Sequence, residues 1–132
     1  MVIAPDAPEF AEYLHWFHFA NGTLQLAMSR CFFLRRLNLP PDNPVLVAAE
    51  GRLERAFRYV EDRLSASPYF AAQRFSAADI MMVFSLTTMR LFLPVALAPY
   101  PAILAYLQRI GAREGYRRAM EKGDPGFAPM LT

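Results

Sequence analysis

Disulfides are the first feature that this sequence lacks, because Cys31 is the only cysteine among its 132 residues. Small secreted domains are usually stabilised by several disulfides, whereas cytoplasmic proteins keep their thiols reduced. The first eleven residues hold acids and prolines, where a secretory signal needs a basic start followed by an apolar run. We therefore expect a cytoplasmic protein.

A concentrated charge of one sign is also missing, since 14 basic and 12 acidic residues leave a net charge of only +2. The arginines are spread over several predicted helix faces, whereas nucleic-acid binding needs a basic stripe or patch. The longest apolar run, residues 80–98, is interrupted by Arg90 and Pro94, so we interpret it as a buried segment and not a membrane span. We expect neither a nucleic-acid partner nor a membrane partner.

Strand signals are nearly absent, because no segment alternates apolar and polar residues over any length. Helix and turn signals alternate instead, and a hydrophobic fraction of 55% provides enough apolar side chains for one well-packed core. We predict a single all-α domain over residues 1–132, a bundle of about five helices. The predicted helices cover 8–37, 45–64, 77–93, 102–112 and 113–122, and a tail covers 123–132.

The predicted third helix has the most fully specified start. Ser76 and Asp79 have the spacing of a capping box, in which each side chain accepts a hydrogen bond from the other residue's backbone N–H. The residues that follow are apolar all the way round, which predicts a central helix buried by its neighbours. We therefore interpret Ser76 and Asp79 as a structural cap. Asn21-Gly22, inside the first predicted helix, indicates either a kink or the close approach of another element.

Four segments then occur in a recognisable order. They are YLHWFHFANGTL at 13–24, YF at 69–70 leading into FSAADI at 75–80, YPAILAYL at 100–107 with RI at 109–110, and RAM at 118–120 followed by GDP at 123–125. Together they resemble the C-terminal helical domain of cytosolic glutathione transferases, particularly bacterial ones. Ala72 or Gln73 stands where many members have glycine. The family places a thioredoxin-like domain before this one, and Met1 lies near the position of the linker between the two domains.

The resemblance implies that this chain supplies no catalytic residue. In the family, the thioredoxin-like domain holds most of the glutathione and provides the residue that stabilises its thiolate. The helical domain contributes the wall of the pocket for a hydrophobic electrophile and much of the dimer interface. The candidate pocket residues are Trp16, Asn21, Gln25 and Met28, because Asn21-Gly22 would let a ligand approach the backbone and methionine adapts to varied shapes. The alternative is that Trp16 and Met28 pack against other side chains, and that Asn21 and Gln25 are polar residues of the plain surface or of an interface.

Other chemistries find little support in the sequence. His15 and His18 could face one side of a helix, but no third residue at a suitable spacing completes a metal site, so we expect no metal. Cys31 is expected to be a buried, unreactive thiol. No serine occurs on a strand-turn-helix elbow, which argues against a hydrolase triad.

Two functions of different classes follow. In the first, the chain is the electrophile-binding half of a glutathione transferase, with glutathione as co-substrate, and is active only when a thioredoxin-like domain is present. In the second, it is a non-catalytic module for protein assembly or apolar-ligand binding, as similar domains are in the gamma subunit of a translation elongation factor and in synthetase complexes. In either case we expect self-association through the first two helices, and a thioredoxin-like domain as a possible partner.

Overall fold

A computed structural model describes residues 1–71 and 73–132. Ala72, one of the two positions compared with the family's glycine, lies outside the described residues. The α-helices are α1 (Phe10–Phe19), α2 (Leu26–Arg35), α3 (Pro44–Ala66), α4 (Ala77–Leu86), α5 (Pro101–Gly111) and α6 (Glu114–Gly123), with a π-helical segment at Ala20–Gln25 and a 3₁₀ turn at Thr88–Leu91. Because α1, the π segment and α2 are continuous, the described ranges form five helical rods, which confirms the predicted all-α bundle.

The first rod faces the core with one continuous stripe. Its buried residues are Tyr13, Trp16, Ala20, Leu24, Met28 and Cys31. The helix is irregular at Asn21 and Gly22, where the structure has a π-helical segment. A Cβ atom built on Gly22 would meet nothing within 4 Å, so of the two alternatives given for Asn21-Gly22 the close approach of another element is wrong. The irregularity therefore belongs to the helix itself and does not make room for a neighbouring element at Gly22.

The second rod, α3, begins with a side-chain cap directly after the loop that holds Pro40 and Pro41. Asn43 accepts hydrogen bonds from the N–H groups of Val45 (3.0 Å) and Leu46 (3.4 Å), while Pro44 occupies the first turn. Farther along, Glu61 reaches across to the start of α5, where its carboxylate accepts from two backbone N–H groups at 2.8 and 2.9 Å. This carboxylate caps α5 in place of a residue of α5's own N-terminus.

The central helix α4 is shorter than predicted, because it ends at Leu86 and not near residue 93. Thr87 leaves the helical conformation at φ −120° and ψ −89°, and its hydroxyl donates to the Val83 carbonyl at 2.6 Å. Arg90 is buried just beyond, where its guanidinium donates to the carbonyls of Leu86, Val95 and Thr132. The chain therefore turns around a buried cation, which an apolar count along the sequence does not reveal.

Most of α4 is buried, as predicted for a central helix, but one of its faces is not covered. Ile80 is 46% exposed and Phe84 is 44% exposed, one helical turn apart. The expectation that neighbouring helices surround α4 on all sides is wrong for this face. Among the described residues, no helix is both long enough and apolar enough to cross a membrane.

Candidate functional site

The start of α4 is held by a buried network of hydrogen bonds. The capping box is complete, and the Asp79 carboxylate accepts from the Ser76 N–H at 2.8 Å and from the Ser76 hydroxyl at 3.0 Å. The same carboxylate accepts from the Phe70 N–H at 3.1 Å and from the Tyr106 hydroxyl at 3.2 Å. Asp79 therefore joins the connector before α4, the helix itself and α5, a wider role than a cap alone.

Burial shifts the pKa values of the two titratable groups in this network, Asp79 and Tyr106. Loss of solvent raises the pKa of Asp79 above its usual value, and the hydrogen bonds from Ser76, Phe70 and Tyr106 oppose that rise. Burial and the neighbouring Asp79 carboxylate also raise the pKa of Tyr106 well above the usual value for a tyrosine, so its hydroxyl remains a donor at neutral pH. Both groups lie inside the core and away from solvent, and this geometry suits a structural role.

The four candidate pocket residues do not converge on one cavity. Trp16 is only 3% exposed and is enclosed by rings, with its centroid 4.9 Å from Tyr59 in a stacked arrangement and 5.2 Å from Phe70. Met28 is fully buried on the same stripe of the first rod. Asn21 is exposed and Gln25 is half-buried, both within the π segment. Of the four candidates, Asn21 and Gln25 are therefore the two that a ligand can reach.

A groove between α4 and α6 is the main apolar depression next to the central helix. It encloses about 510 Å³ and is lined by Met1, Phe75, Ile80, Val83, Phe84, Thr87, Thr88, Ile110, Arg113, Gly115, Tyr116, Ala119, Met120 and Asp124. The Arg113 guanidinium lies 3.9 Å from the centre of the Phe75 ring, and the Ala77 N–H donates to the Met1 carbonyl at 2.9 Å. We call this depression the α4–α6 groove. Its exposed apolar walls make it a surface suited to burial by another group.

The other reactive side chains are engaged elsewhere. The His15 imidazole lies 3.0 Å from the Tyr59 hydroxyl and belongs to the aromatic cluster around Trp16. Cys31 is buried, and loss of solvent raises the pKa of its thiol, which disfavours the thiolate. Within residues 1–71 and 73–132, no group of three His, Cys, Asp or Glu side chains is placed to hold a metal ion.

Three features of this region were missed from the sequence. The cap that Glu61 gives to α5 joins residues 41 and 42 positions apart, and the Arg90 bond to Thr132 spans 42 positions. The α4–α6 groove depends on how two helices pack. Of these three features, only the Arg90 bond had a signal in the sequence, namely a charged residue inside an apolar run. Because a buried cation needs several acceptors, such a residue indicates partners elsewhere in the chain.

Comparison with known proteins places these observations in a family. The family model for the glutathione S-transferase C-terminal domain matches residues 21–114. A glutathione S-transferase domain-containing protein of Dictyostelium discoideum is 27% identical over 128 residues, which is 95% of this chain and 42% of that protein. The chain therefore spans less than half the length of this curated relative.

Solved structures show the same fold at lower identity. A glutathione S-transferase of Actinobacillus pleuropneumoniae superposes with a TM-score of 0.79 at 20% identity, over 99% of this chain and 60% of that one. A Burkholderia graminis glutathione transferase, which holds two glutathione molecules per subunit, superposes with a TM-score of 0.73 at 19% identity, over 96% of this chain and 55% of that one. The match in each case is to part of a longer protein. By its sequence and its fold, this chain belongs to the glutathione S-transferase C-terminal domain family.

Proposed function

We propose that this chain is the helical half of a glutathione-conjugating unit whose other half is a thioredoxin-like domain. The observation that carries the proposal is the uncovered face of α4, where Ile80 and Phe84 stand exposed in the α4–α6 groove. Apolar surface of this kind is stabilised when another folded surface removes it from water. A thioredoxin-like domain seated on this face would complete the unit.

In this unit glutathione is the co-substrate, and the chain itself supplies no catalytic residue. Its part is to hold the hydrophobic electrophile close to the thiolate and to exclude water. We propose that Asn21 and Gln25 contact the electrophile, because both are accessible from the first rod. Trp16 and Met28, which were also candidates, would act from behind them as rigid packing.

A chimera tests this proposal. The helical domain of the Burkholderia graminis enzyme would be replaced by this chain and assayed with glutathione and a chloronitrobenzene electrophile. We expect conjugation, and we expect Gln25→Leu to change KM for the electrophile without changing KM for glutathione. Gln108→Leu on α5 is the matched control, because Gln108 is an exposed helical glutamine whose side-chain amide donates to the tail carbonyl of Leu131. A folded chimera without activity would contradict the proposal.

The α4–α6 groove has its own test in the same chimera. Phe84→Glu places a charge on the uncovered face of α4, so we expect it to weaken the contact between the two halves and to lower activity. Phe127→Glu is the control, because Phe127 is 43% exposed, nearly the same as Phe84, and does not line this groove. Equal activity of the two variants would show that the groove is not where the other domain binds.

The second candidate function is a non-catalytic module for assembly or apolar-ligand binding. It is favoured by the exposed apolar side chains at the outer end of the first two rods, among them Phe33, Leu37 and Val47. We propose that this surface carries self-association of the chain in the cytoplasm. Sedimentation velocity of the purified chain should show an oligomer that Phe33→Glu dissociates. An inactive chimera together with this oligomer would favour the module over the enzyme.

A further inference from the structure

Leu131 and Thr132 of the tail occupy a small site between the 3₁₀ turn that follows α4 and the last turn of α5. The Arg90 guanidinium donates to the Thr132 carbonyl at 2.8 Å, and the Gln108 side-chain amide donates to the Leu131 carbonyl at 3.1 Å. The Leu131 side chain packs against the core beside Gly111. We call the site formed by Arg90, Gln108 and Gly111 the tail socket. All three residues lie outside the α4–α6 groove.

Gly111 provides the space that the Leu131 side chain fills. A glycine in a helix lowers stability relative to alanine, so a close approach is one reason for its presence in α5. A Cβ atom built on Gly111 would overlap a Cδ atom of Leu131, whereas a Cβ atom built on Gly115 would meet nothing within 4 Å. The missing side chain of Gly111 therefore leaves room for one aliphatic residue of an extended segment.

Arg90 is held in place by contacts that do not involve the tail. Its Nε atom donates to the Val95 carbonyl at 3.1 Å and its Nη1 atom donates to the Leu86 carbonyl at 3.4 Å. The side chain is only 7% exposed, and the ion pairs between side chains of the described residues use other arginines. A guanidinium bonds a carboxylate more strongly than a neutral carbonyl. The Nη2 atom of Arg90 is therefore a preorganised donor that favours a carboxylate.

The tail is attached to the helices mainly through this socket. Residues 124–129 are all exposed, and the backbone N–H groups of Phe127 and Leu131 donate to acceptors within the tail itself. Of residues 124–132, all of which the structure describes, Leu131 is the one that packs against the core. The tail is therefore arranged as a segment that is tethered at the end of α6 and inserted at Leu131, so it can leave the socket without disturbing a helix.

We propose that the tail socket binds the end of another polypeptide, an extended segment with leucine as its penultimate residue and a free terminal carboxylate. The leucine would take the place of Leu131 beside Gly111, and its carbonyl would accept from Gln108. The carboxylate would accept from the Nη2 atom of Arg90, as in other sites that capture the carboxylate of a peptide. The chain's own tail is then an intramolecular competitor that closes the socket to weak ligands. This inference does not depend on the proposed transferase role, since it uses a different surface.

The tail of a second copy is a weaker occupant than the end of a different polypeptide. It would offer the same contacts as the resident tail, whose local concentration is on the order of a millimolar because it is tethered. At micromolar protein concentration the resident tail therefore excludes an identical tail from another copy. A different polypeptide can displace it by adding contacts beyond the socket.

The experiment measures the binding of a labelled peptide by fluorescence anisotropy. The probe has the sequence of residues 127–132, FAPMLT, with a neutral dye at its N-terminus and a free carboxylate at its C-terminus. It is titrated with the unmodified 132-residue chain and with Leu131→Ser, in which the resident tail has lost its apolar anchor. We expect the variant to bind the probe about tenfold more tightly, because its own tail competes less.

Two altered peptides test what the socket recognises. The peptide FAPMST has serine in place of the leucine, and an amidated FAPMLT has a neutral end in place of the carboxylate. We expect both to bind the Leu131→Ser chain several-fold more weakly than the probe does. The first loses the apolar contact beside Gly111, and the second loses the charge that faces Arg90.

Matched variants of the chain locate the binding. Gly111→Leu, added to Leu131→Ser, fills the space beside α5 and should abolish binding of the probe. Leucine is a better helix former than glycine, so this change should not weaken α5. Gly115→Leu in the same background is the control, because a Cβ atom there meets nothing within 4 Å and Gly115 lies outside the socket. Circular dichroism would establish that both variants fold.

Four results would overturn the proposal. Equal affinity of the unmodified chain and Leu131→Ser would mean that the probe binds elsewhere. Equal loss of binding in Gly111→Leu and Gly115→Leu would mean that the socket is not the site. Equal affinity of the amidated peptide would mean that no carboxylate is recognised. A dimer of the unmodified chain that Gly111→Leu dissociates, and that Gly115→Leu leaves intact, would mean that the tail of a second copy occupies the socket.

Discussion

The two ends of α4 are held by different kinds of contact. At its start, residues three positions apart form a capping box, and the Asp79 carboxylate gathers four hydrogen bonds within the core. At its end, the regular helix stops at Leu86, and the buried Arg90 holds the following turn through carbonyls as distant as Thr132. The start of α4 therefore rests largely on local sequence, whereas its end rests on tertiary contacts.

This difference shows why one end of the helix was easier to predict than the other. The two residues of a capping box lie within four positions of sequence, so the cap can be recognised before the fold is known. A helix end that depends on a buried cation and on distant carbonyls has no comparable pattern among neighbouring residues. The same difference predicts how substitutions at each end change the stability of the fold. The expected effects follow in order of decreasing size.

Asp79→Ala should have the largest effect on stability. It leaves the N–H groups of Phe70 and Ser76 buried without their acceptor, and it leaves the Tyr106 hydroxyl only the carbonyl of residue 79 at 3.5 Å, so we expect a loss of about 3 kcal/mol. Urea denaturation of the purified chain measures it. Asp79→Asn keeps one carbonyl acceptor and should lose about half as much. A loss below about 1 kcal/mol for Asp79→Ala would mean that the network is not a main support of the core.

Arg90→Met tests the other end of α4. The substitution removes the donors to the carbonyls of Leu86, Val95 and Thr132, and we expect a loss of about 2 kcal/mol. Limited proteolysis should also cut the tail after Asp124 faster than in the unmodified chain. Arg118→Met, at an exposed ion pair on α6, is the control and should change stability by less than about 0.5 kcal/mol. Unchanged proteolysis of the Arg90 variant would contradict the proposed anchoring of the tail.

Tyr106→Phe sharpens the comparison within the start of α4. It removes one of the four hydrogen bonds to Asp79 and leaves the ring in place, so we expect a loss of about 1 kcal/mol in urea denaturation. Tyr69→Phe, a half-buried tyrosine in the same connector, should cost less. If both substitutions cost the same, the bond to Asp79 contributes little.

The pH dependence of the same carboxylate gives the smallest expected effect, because hydrogen bonds oppose part of the desolvation. Burial raises the pKa of Asp79 above its usual value near 3.8. The folded state then binds a proton more tightly than the unfolded chain, so this group stabilises the fold below the unfolded pKa and that stability is lost as pH rises through the folded pKa. The unfolding free energy relative to Asp79→Asn should therefore fall as the pH rises above the usual pKa of an aspartate. A rise would mean that the folded pKa is lowered.

Much of the fold could be predicted because its signals are local. The rod boundaries follow from prolines, from helical spacing and from the capping box, and the observed ends of α5 and α6 lie within one residue of the predicted ones. The exposed face of α4 could not be predicted, because Ile80 and Phe84 are as apolar as its buried residues. Which apolar side chains are covered depends on the neighbours that the fold supplies.

The candidate site was harder to predict for a related reason. Trp16 and Met28 have the residue types expected of a ligand pocket, but the same types fill cores, and both are buried here. Asn21 and Gln25 are accessible, and their contact with an electrophile stays a prediction. The depression between the first rod and α3 was not predicted, because Arg30 and Arg52, which both line it, are 22 positions apart in the sequence.

The π-helical segment of the first rod determines the direction in which its second half faces. The buried positions Trp16, Ala20, Leu24 and Met28 follow one another at steps of four, and in a regular α-helix three such steps would rotate the stripe by about 120°. The wider turn of the π segment absorbs this rotation. Removing one residue between positions 20 and 25 would turn the rest of the rod by about 100°, so that the core stripe and Arg30 would each point in a new direction. The π segment therefore determines which side chains of the second half of the rod face the core and which face α3 at the surface.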